Sequence, residues 1–210
     1  MRFLLIRHAD PDYTRDSLTE KGFEEASALA EHLAGIRIDA LYISPMGRAQ
    51  ATASPLAERK RLTPIVLEWL RELNGNWEGN RMAWKVTGAE NLDVPVLPNL
   101  DNWHTLTPYG AHLFPQYQAL GENFDALIAS YGYRREGFRY RVEKSNDAVV
   151  ACVTHGGLIL TLLSYLLHWP LQLVYSHLCC DPTGINDLQW EEHGGYAVPR
   201  AKVINGLSHL

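Results

Sequence analysis

Cysteine is scarce: three in 210 residues, Cys152 and the vicinal pair Cys179-Cys180. This excludes a disulfide framework and a CxxC zinc pattern. Cys152 lies inside an apolar run and reads as a small core residue. Long apolar runs are also missing. Leu158 to Leu167 is too short to span a bilayer and contains Thr161, Ser164 and Tyr165. Nor is there a basic excess. Nineteen Lys and Arg stand against 24 Asp and Glu, a net charge of -5, which argues against a nucleic-acid or anionic-membrane partner. No signal peptide is read, because Met1 to Ile6 is strand-length and charge follows at once; a reducing cytoplasm is the expected compartment. From Val86 to Tyr133 there is no lysine or arginine, whereas Glu90, Asp93, Asp101, Glu122 and Asp125 are acidic.

What is present suits one buried domain, since 46% of the residues are hydrophobic. Apolar runs predict strands over Arg2–Ile6, Ala40–Ile43, Pro64–Leu67 and Ala148–Val153, with a closing pair over Ile185–Trp190 and Gly195–Val203. Helices are predicted from Leu18 to Ala34, with Ser17 and Glu20 at capping-box spacing, from Pro45 to Glu58, and from Leu158 to His168. Alternating strands and helices argue for an α/β fold, a three-layer α/β/α sandwich with a mostly parallel central sheet. Between residues 73 and 147 the pattern changes to prolines, glycines and scattered aromatics, with one helix near Gly121 to Tyr131. This stretch reads as an inserted lid over the strand ends of a single domain.

Two predicted strands each deliver a histidine at the C-terminal end, His8 after Arg7 and His155 before Gly156-Gly157. Ligands of open α/β sheets bind beyond those ends. An arginine beside one histidine and a glycine pair opening a helix after the other suit an anion, above all phosphate. Phosphoryl transfer through the enzyme needs an unprotonated nucleophile, cations on the phosphoryl oxygens and an acid for the leaving group. His8 can be the nucleophile, Arg7 and Arg48 the bidentate forks, and His155, if charged, a further donor. Glu72 can protonate the departing oxygen and then activate water.

These residues sit in blocks that resemble the histidine phosphatase superfamily, the phosphoglycerate-mutase-like proteins. Leu5-Ile6-Arg7-His8 is similar to the RHG signature, and Leu18-Thr19-Glu20-Lys21-Gly22 to the LTxxG stretch. Ser44-Pro45-Met46-Gly47-Arg48-Ala49-Gln50-Ala51-Thr52-Ala53 resembles SPxxRAxxTA, whose arginine binds phosphate. Leu70-Arg71-Glu72 resembles the acid-bearing segment, Val153-Thr154-His155-Gly156-Gly157 the second histidine motif, and Asn205 to Leu210 the usual C-terminal end. The chain departs from the pattern in three places. Ala9 replaces a glycine, the acid segment is one residue shorter, and Thr14 stands where an asparagine often binds phosphate. Thr14, Tyr13 or a backbone amide could take over that contact.

The resemblance implies a cofactor-free, metal-independent phosphatase that hydrolyses a small phosphomonoester through phospho-His8. His8, Glu72 and His155 would be catalytic, and Arg7, Arg48, His155 and Thr14 would bind phosphate. Two alternatives stay open: a phosphoglycerate-mutase-type phosphotransferase, and a non-catalytic phosphate-binding or interaction module. The cation-free stretch disfavours bisphosphorylated ligands and favours a monophosphate ester with an apolar, aromatic or sugar-like leaving group, although Arg81, Lys85, Arg134, Arg135, Arg139 and Arg141 flank it and could fold inward. His104 and His112 lack metal-ligand spacing, so no metal is expected.

Overall fold

The computed structural model describes residues 1–79 and 81–210. An eight-stranded sheet runs in the order Ile65–Val66, Ala40–Ile43, Val149–Thr154, Arg2–Arg7, Ile185–His193, Tyr196–Gly206, Arg139–Val142, Tyr133–Glu136. The first four strands are mutually parallel and the remaining pairings are antiparallel, so the sheet is mixed rather than mostly parallel. Chain connectivity explains the change. Helical crossovers connect parallel strands, and tight turns with left-handed glycines, Gly194-Gly195 and Gly137, make two of the antiparallel pairs. The other two, Arg2–Arg7 with Ile185–His193 and Tyr196–Gly206 with Arg139–Val142, join segments distant in sequence.

Both faces of the central strands are buried, and alternate residues serve opposite layers. Leu4, Ile6, Ala151 and Val153 face the helices Glu20–His32 and Gly47–Lys60, meeting Leu29, Ala30, Ala49, Ala53 and Leu56. Phe3, Leu5, Val150 and Cys152 face Gly110–Ser130 and Gly156–Leu167, meeting Phe124, Ile128, Leu158 and Leu162. Truncating a fully buried leucine such as Leu4 or Leu5 should cost about 2–5 kcal/mol. The first helix is capped by Thr19, whose side chain accepts from Gly22 N, and not by Ser17 as the capping-box spacing suggested. Ser17 is instead in a short strand, Ser17–Leu18, paired with Pro11–Asp12.

The segment expected as a lid divides in two. Gly110–Ser130 is one of the sandwich's layers and Tyr133–Val142 extends its sheet. The helix passes through both Pro115 and Gly121, residues that would normally bound it. A Cβ at Gly121 would lie 2.4 Å from the Tyr165 ring, so this glycine lets two helices approach closely. Only the stretch before it, from about residue 74 to 109, is built of short elements. These carry Ala83, Val86, Trp103 and Tyr109 into a separate small core with Leu160, Leu171, Val174 and Tyr175.

Candidate active site

Strand Arg2–Arg7 ends where the sheet changes from parallel to antiparallel, and its last residue opens onto a cavity of about 430 Å³. Arg7, His8, Arg48, Glu72 and Gly156 line one end, with Tyr13 beside them. Hydrogen bonds hold His8 to its surroundings. Its backbone N donates to Thr154 O at 2.8 Å, and Ala9 N donates to Thr52 Oγ1 at 2.9 Å. Ala9 packs fully buried with Leu18, Ala26 and Ala51, so the methyl that replaces the usual glycine hydrogen has a place.

The His8 ring is 2% exposed at the residue level and its tautomer follows from its partners. Nδ1 lies 2.8 Å from Ala9 O, an acceptor only, so Nδ1 carries the proton. Nε2 therefore keeps its lone pair, which accepts from Arg48 Nε at 3.3 Å. Burial, and then the charges of Arg7 and Arg48, push the His8 pKa down to about 4 despite the bond to Ala9 O. This imidazole is neutral at pH 7.

His155 is fully buried, its ring centroid 5.1 Å from that of His8. Its Nε2 lies 2.7 Å from Ser44 Oγ, which also accepts from Met46 N, while its buried Nδ1 has no partner among the described residues. The expectation of a charged His155 does not hold. Burial, His8 and the nearby arginines push its pKa down to about 2. As a neutral ring whose Nε2 accepts a hydrogen bond from the Ser44 hydroxyl, it can still present Nδ1–H to an anion.

Arg48 is 7% exposed and fixed on three sides. Nη1 donates to Asp16 Oδ1 at 2.7 Å, Nε to His8, and the guanidinium lies 5.4 Å from the Tyr13 ring centroid. Asp16 also accepts from Gly47 N at 2.7 Å, so it fastens the start of the helix that carries Arg48. Sequence reasoning missed this residue. Its left-handed φ of 46° places the chain where the carboxylate can reach back, a contact 31 residues away in sequence.

Thr14 does not join the site. It lies exposed in a turn, its N donating to Asp12 Oδ1, and neighbouring Tyr13 lines the cavity instead. The turn is shaped by Asp12, which binds Thr14 N, Arg15 N and the Arg15 side chain, and this carries Thr14 outward.

Glu72 sits at the N-terminus of the helix Gly156–Leu167, where Gly157 N donates to Oε2 at 3.1 Å and Leu158 N to Oε1 at 2.9 Å. Thr154 Oγ1 donates to Leu70 O at 2.7 Å and ties the acid-bearing segment to the strand that ends in His155. Desolvation raises the Glu72 pKa above the ordinary carboxylate value, although the two helix amides, Leu73 N and Arg48 pull the other way.

The rest of the cavity lining is Met82, Trp84, Lys85, Leu160, Leu178 and Cys179, with Cys180 and Asp181 beside Arg7, whose Nη1 donates to Cys180 O. A Cβ on Gly75 or Gly157 would come within 2.5 Å of the Trp84 ring, so the two glycines admit this indole. Lys85 faces the cavity, whereas Arg81 turns to Glu90 and to the Trp77 ring. The described cavity lining therefore includes one lysine, despite the cation-free stretch that follows it.

Comparison with known proteins bears on the family and the fold. A model of the histidine phosphatase superfamily (branch 1) matches residues 3–201. The chain is 27% identical over 200 residues to a putative phosphoserine phosphatase 2 of Hydrogenobacter thermophilus, covering 90% of each. It is 23% identical over 186 residues to an adenosylcobalamin/alpha-ribazole phosphatase of Escherichia coli, covering 83% of each. Among solved structures, a phosphoserine phosphatase of Entamoeba histolytica in complex with 3-phosphoglyceric acid shares the fold with a TM-score of 0.67 at 21% identity. That match covers 99% of this chain and 98% of the other. A mycobacterial glucosyl-3-phosphoglycerate phosphatase complexed with VO3 superposes with a TM-score of 0.63 at 26% identity, covering 98% of this chain and 99% of the other.

Proposed function

We propose that this chain, which belongs to the histidine phosphatase superfamily, hydrolyses a small phosphomonoester in two steps through a phosphohistidine on His8. The observation that carries the reading is the lone pair on His8 Nε2, held in a neutral ring beside the Arg48 guanidinium. A substrate phosphoryl group would take over the Arg48 donor, exposing Nε2 to phosphorus. Nε2 attacks, the P–O bond to the leaving group breaks, and Glu72 gives that oxygen a proton. Water then attacks the phosphohistidine, Glu72 takes the water's proton, and the P–N bond breaks to return the electron pair to Nε2 and release inorganic phosphate. The raised pKa of Glu72 suits the first step and its ionised form the second.

Arg7, Arg48 and the His155 Nδ1–H would hold the phosphoryl oxygens. Arg7 Nε is buried without a partner among the described residues, as His155 Nδ1 is, and two unsatisfied donors in one buried site are what an anion would satisfy. These fixed cations supply the charge stabilisation that a divalent ion would otherwise bring, so activity is expected to survive chelation. Residues from about 74 to 109 would act as the lid of a single domain. Lys85 offers a cation to an acidic leaving group, and phosphorylated hydroxy acids, including the phosphoserine named for the Hydrogenobacter relative, are the first esters to try. A cytoplasmic location fits the three free cysteines, and no described helix is long and apolar enough to cross a membrane.

The direct test is labelling. Wild-type protein quenched during turnover of a phosphorus-labelled ester should carry acid-labile, base-stable label, and His8→Ala should carry none. Turnover with no such label at any quench time would overturn the mechanism.

A further inference from the structure

The loop Cys180–Gly184 lies between the cavity and the end of the last strand. On the cavity side its main chain grips the nucleophile segment. Cys180 O accepts from Arg7 Nη1 at 2.5 Å, Gly184 O accepts from Arg7 N at 3.2 Å, and Thr183 N donates to His8 O at 3.4 Å. On the opposite side the loop is held by Asn205. The Asn205 amide forms a two-point clasp on Asp181: Oδ1 accepts from Asp181 N at 2.8 Å, and Nδ2 donates to Asp181 Oδ2 at 2.6 Å. Asn205 is itself anchored, its N donating to Asn186 Oδ1 at 3.0 Å, and Asn186 Nδ2 donating to Leu5 O at 3.3 Å.

The residue type at 205 is specified twice. Its backbone is left-handed, with φ 52°, a conformation that asparagine and glycine tolerate best. Its side chain must also accept from an N–H and donate to a carboxylate, which a primary amide does and an aspartate cannot. Gly184 fits the same clasp, since a Cβ there would stand 2.2 Å from Asn205 Oδ1.

We propose that Asn205 is a positioning residue for the reaction, aiming the Arg7 guanidinium at the phosphoryl group through Asp181 and the Cys180 carbonyl. The inference rests on the phosphatase reading above and adds a part of the machinery 198 residues from Arg7 in sequence. The Cys180 carbonyl occupies one Arg7 nitrogen, which fixes the plane of the fork and leaves its buried Nε free for the ligand. Loss of the clasp lets the carbonyl drift, and an ångström of misplacement in a bidentate clamp costs on the order of 10²-fold.

The decisive variant is Asn205→Gly, which keeps the left-handed backbone and deletes only the amide; Asn205→Asp adds a like charge against Asp181. Thermal melts establish that each is folded, and inorganic phosphate is the probe, its dissociation constant read by calorimetry alongside KM and kcat. Asn205→Gly should weaken phosphate roughly tenfold to a hundredfold and raise KM more than it lowers kcat. The same substitution made in an Arg7→Ala background should cost almost nothing further, because its effect runs through Arg7. Wild-type phosphate affinity in folded Asn205→Gly would overturn the proposal. So would an equal loss in both backgrounds, which would place the effect elsewhere in the fold. Should Asn205→Gly not fold, Asn205→Asp in the same two backgrounds decides by the same criteria. Absence of phosphate binding by the parent protein would remove the phosphatase reading and this inference together.

Discussion

The two ends of the cavity are built in different ways. At the phosphoryl end His8 and His155 stand on strand ends, Arg48 on the first turn of a helix, and all three are buried and bonded to fixed partners. At the leaving-group end Met82, Trp84 and Lys85 come from a short strand and a single helical turn, and Lys85 is solvent-exposed. The contrast teaches a division of labour. On the proposed mechanism, chemistry that must be aimed within fractions of an ångström would rest on the sheet, and substrate choice on short elements that can vary without disturbing it.

The comparison can be broken most forcefully at His8. His8→Ala should lower turnover on the order of 10⁶-fold, the scale seen when a covalent nucleophile is removed, while the melting temperature stays near that of the parent. Wild-type-like rates in the folded variant would move the nucleophile elsewhere. Next in size is Arg48→Ala, which removes a donor to the phosphoryl group and the partner of Asp16. It should lower kcat/KM about 10²–10³-fold for every ester tried, because the phosphoryl end is common to them all. A loss confined to one leaving group would contradict the division.

Glu72 stands at the boundary between the two ends, so its effect should depend on the ester. In single-turnover phosphorylation, Glu72→Gln should slow an alkyl phosphate about 10²–10⁴-fold and a nitrophenyl phosphate much less, since nitrophenolate departs unassisted. Equal slowing on both would assign the acid role to another carboxylate. The pH profile sharpens this. His8 has its pKa pushed down to about 4, so kcat/KM should fall as pH drops through that value and the lone pair is protonated. Glu72 has its pKa raised, so its acid form is present below that raised value and is lost as pH climbs through it. The wild type should therefore show an alkaline limb with the alkyl ester that Glu72→Gln lacks.

The smallest effect is expected at Lys85. Lys85→Met should raise KM for a carboxylate-bearing ester such as O-phosphoserine about two- to fivefold, the scale of an exposed ion pair. It should leave p-nitrophenyl phosphate unchanged. Equal change on both would mean that this lysine reads the phosphate rather than the leaving group.

Much of this was legible along the chain, and unevenly. Phe3, Leu5, Val150 and Cys152 alternate with Leu4, Ile6, Ala151 and Val153 in two short runs, and both faces proved buried as the unbroken apolar pattern implied. Arg7, His8, Arg48 and Glu72 stand out from their blocks and line one cavity, with His155 buried beside His8. The lid boundary was less legible. Pro115 and Gly121 disguised a 21-residue helix, because the close approach of Tyr165 that requires a glycine is a contact between distant segments.

Local patterning along the chain gave the four parallel strands, the closing strand pair and the order of the motif residues, because apolar periodicity and proline or glycine breaks act over a few neighbours. It did not give the strands Tyr133–Glu136 and Arg139–Val142 or the start of the helix Gly110–Ser130. The remaining features arose in the tertiary structure, most of them from packing between distant segments. Thr14 turned outward and Tyr13 inward through a turn ordered by Asp12. Burial left His155 neutral where its motif suggested a cation. Asp16 reached Arg48, and Asn205 reached the loop that holds Arg7. Each of these outcomes depends on desolvation or on a hydrogen bond between residues brought together by packing, and such quantities have no value until the chain has closed around them.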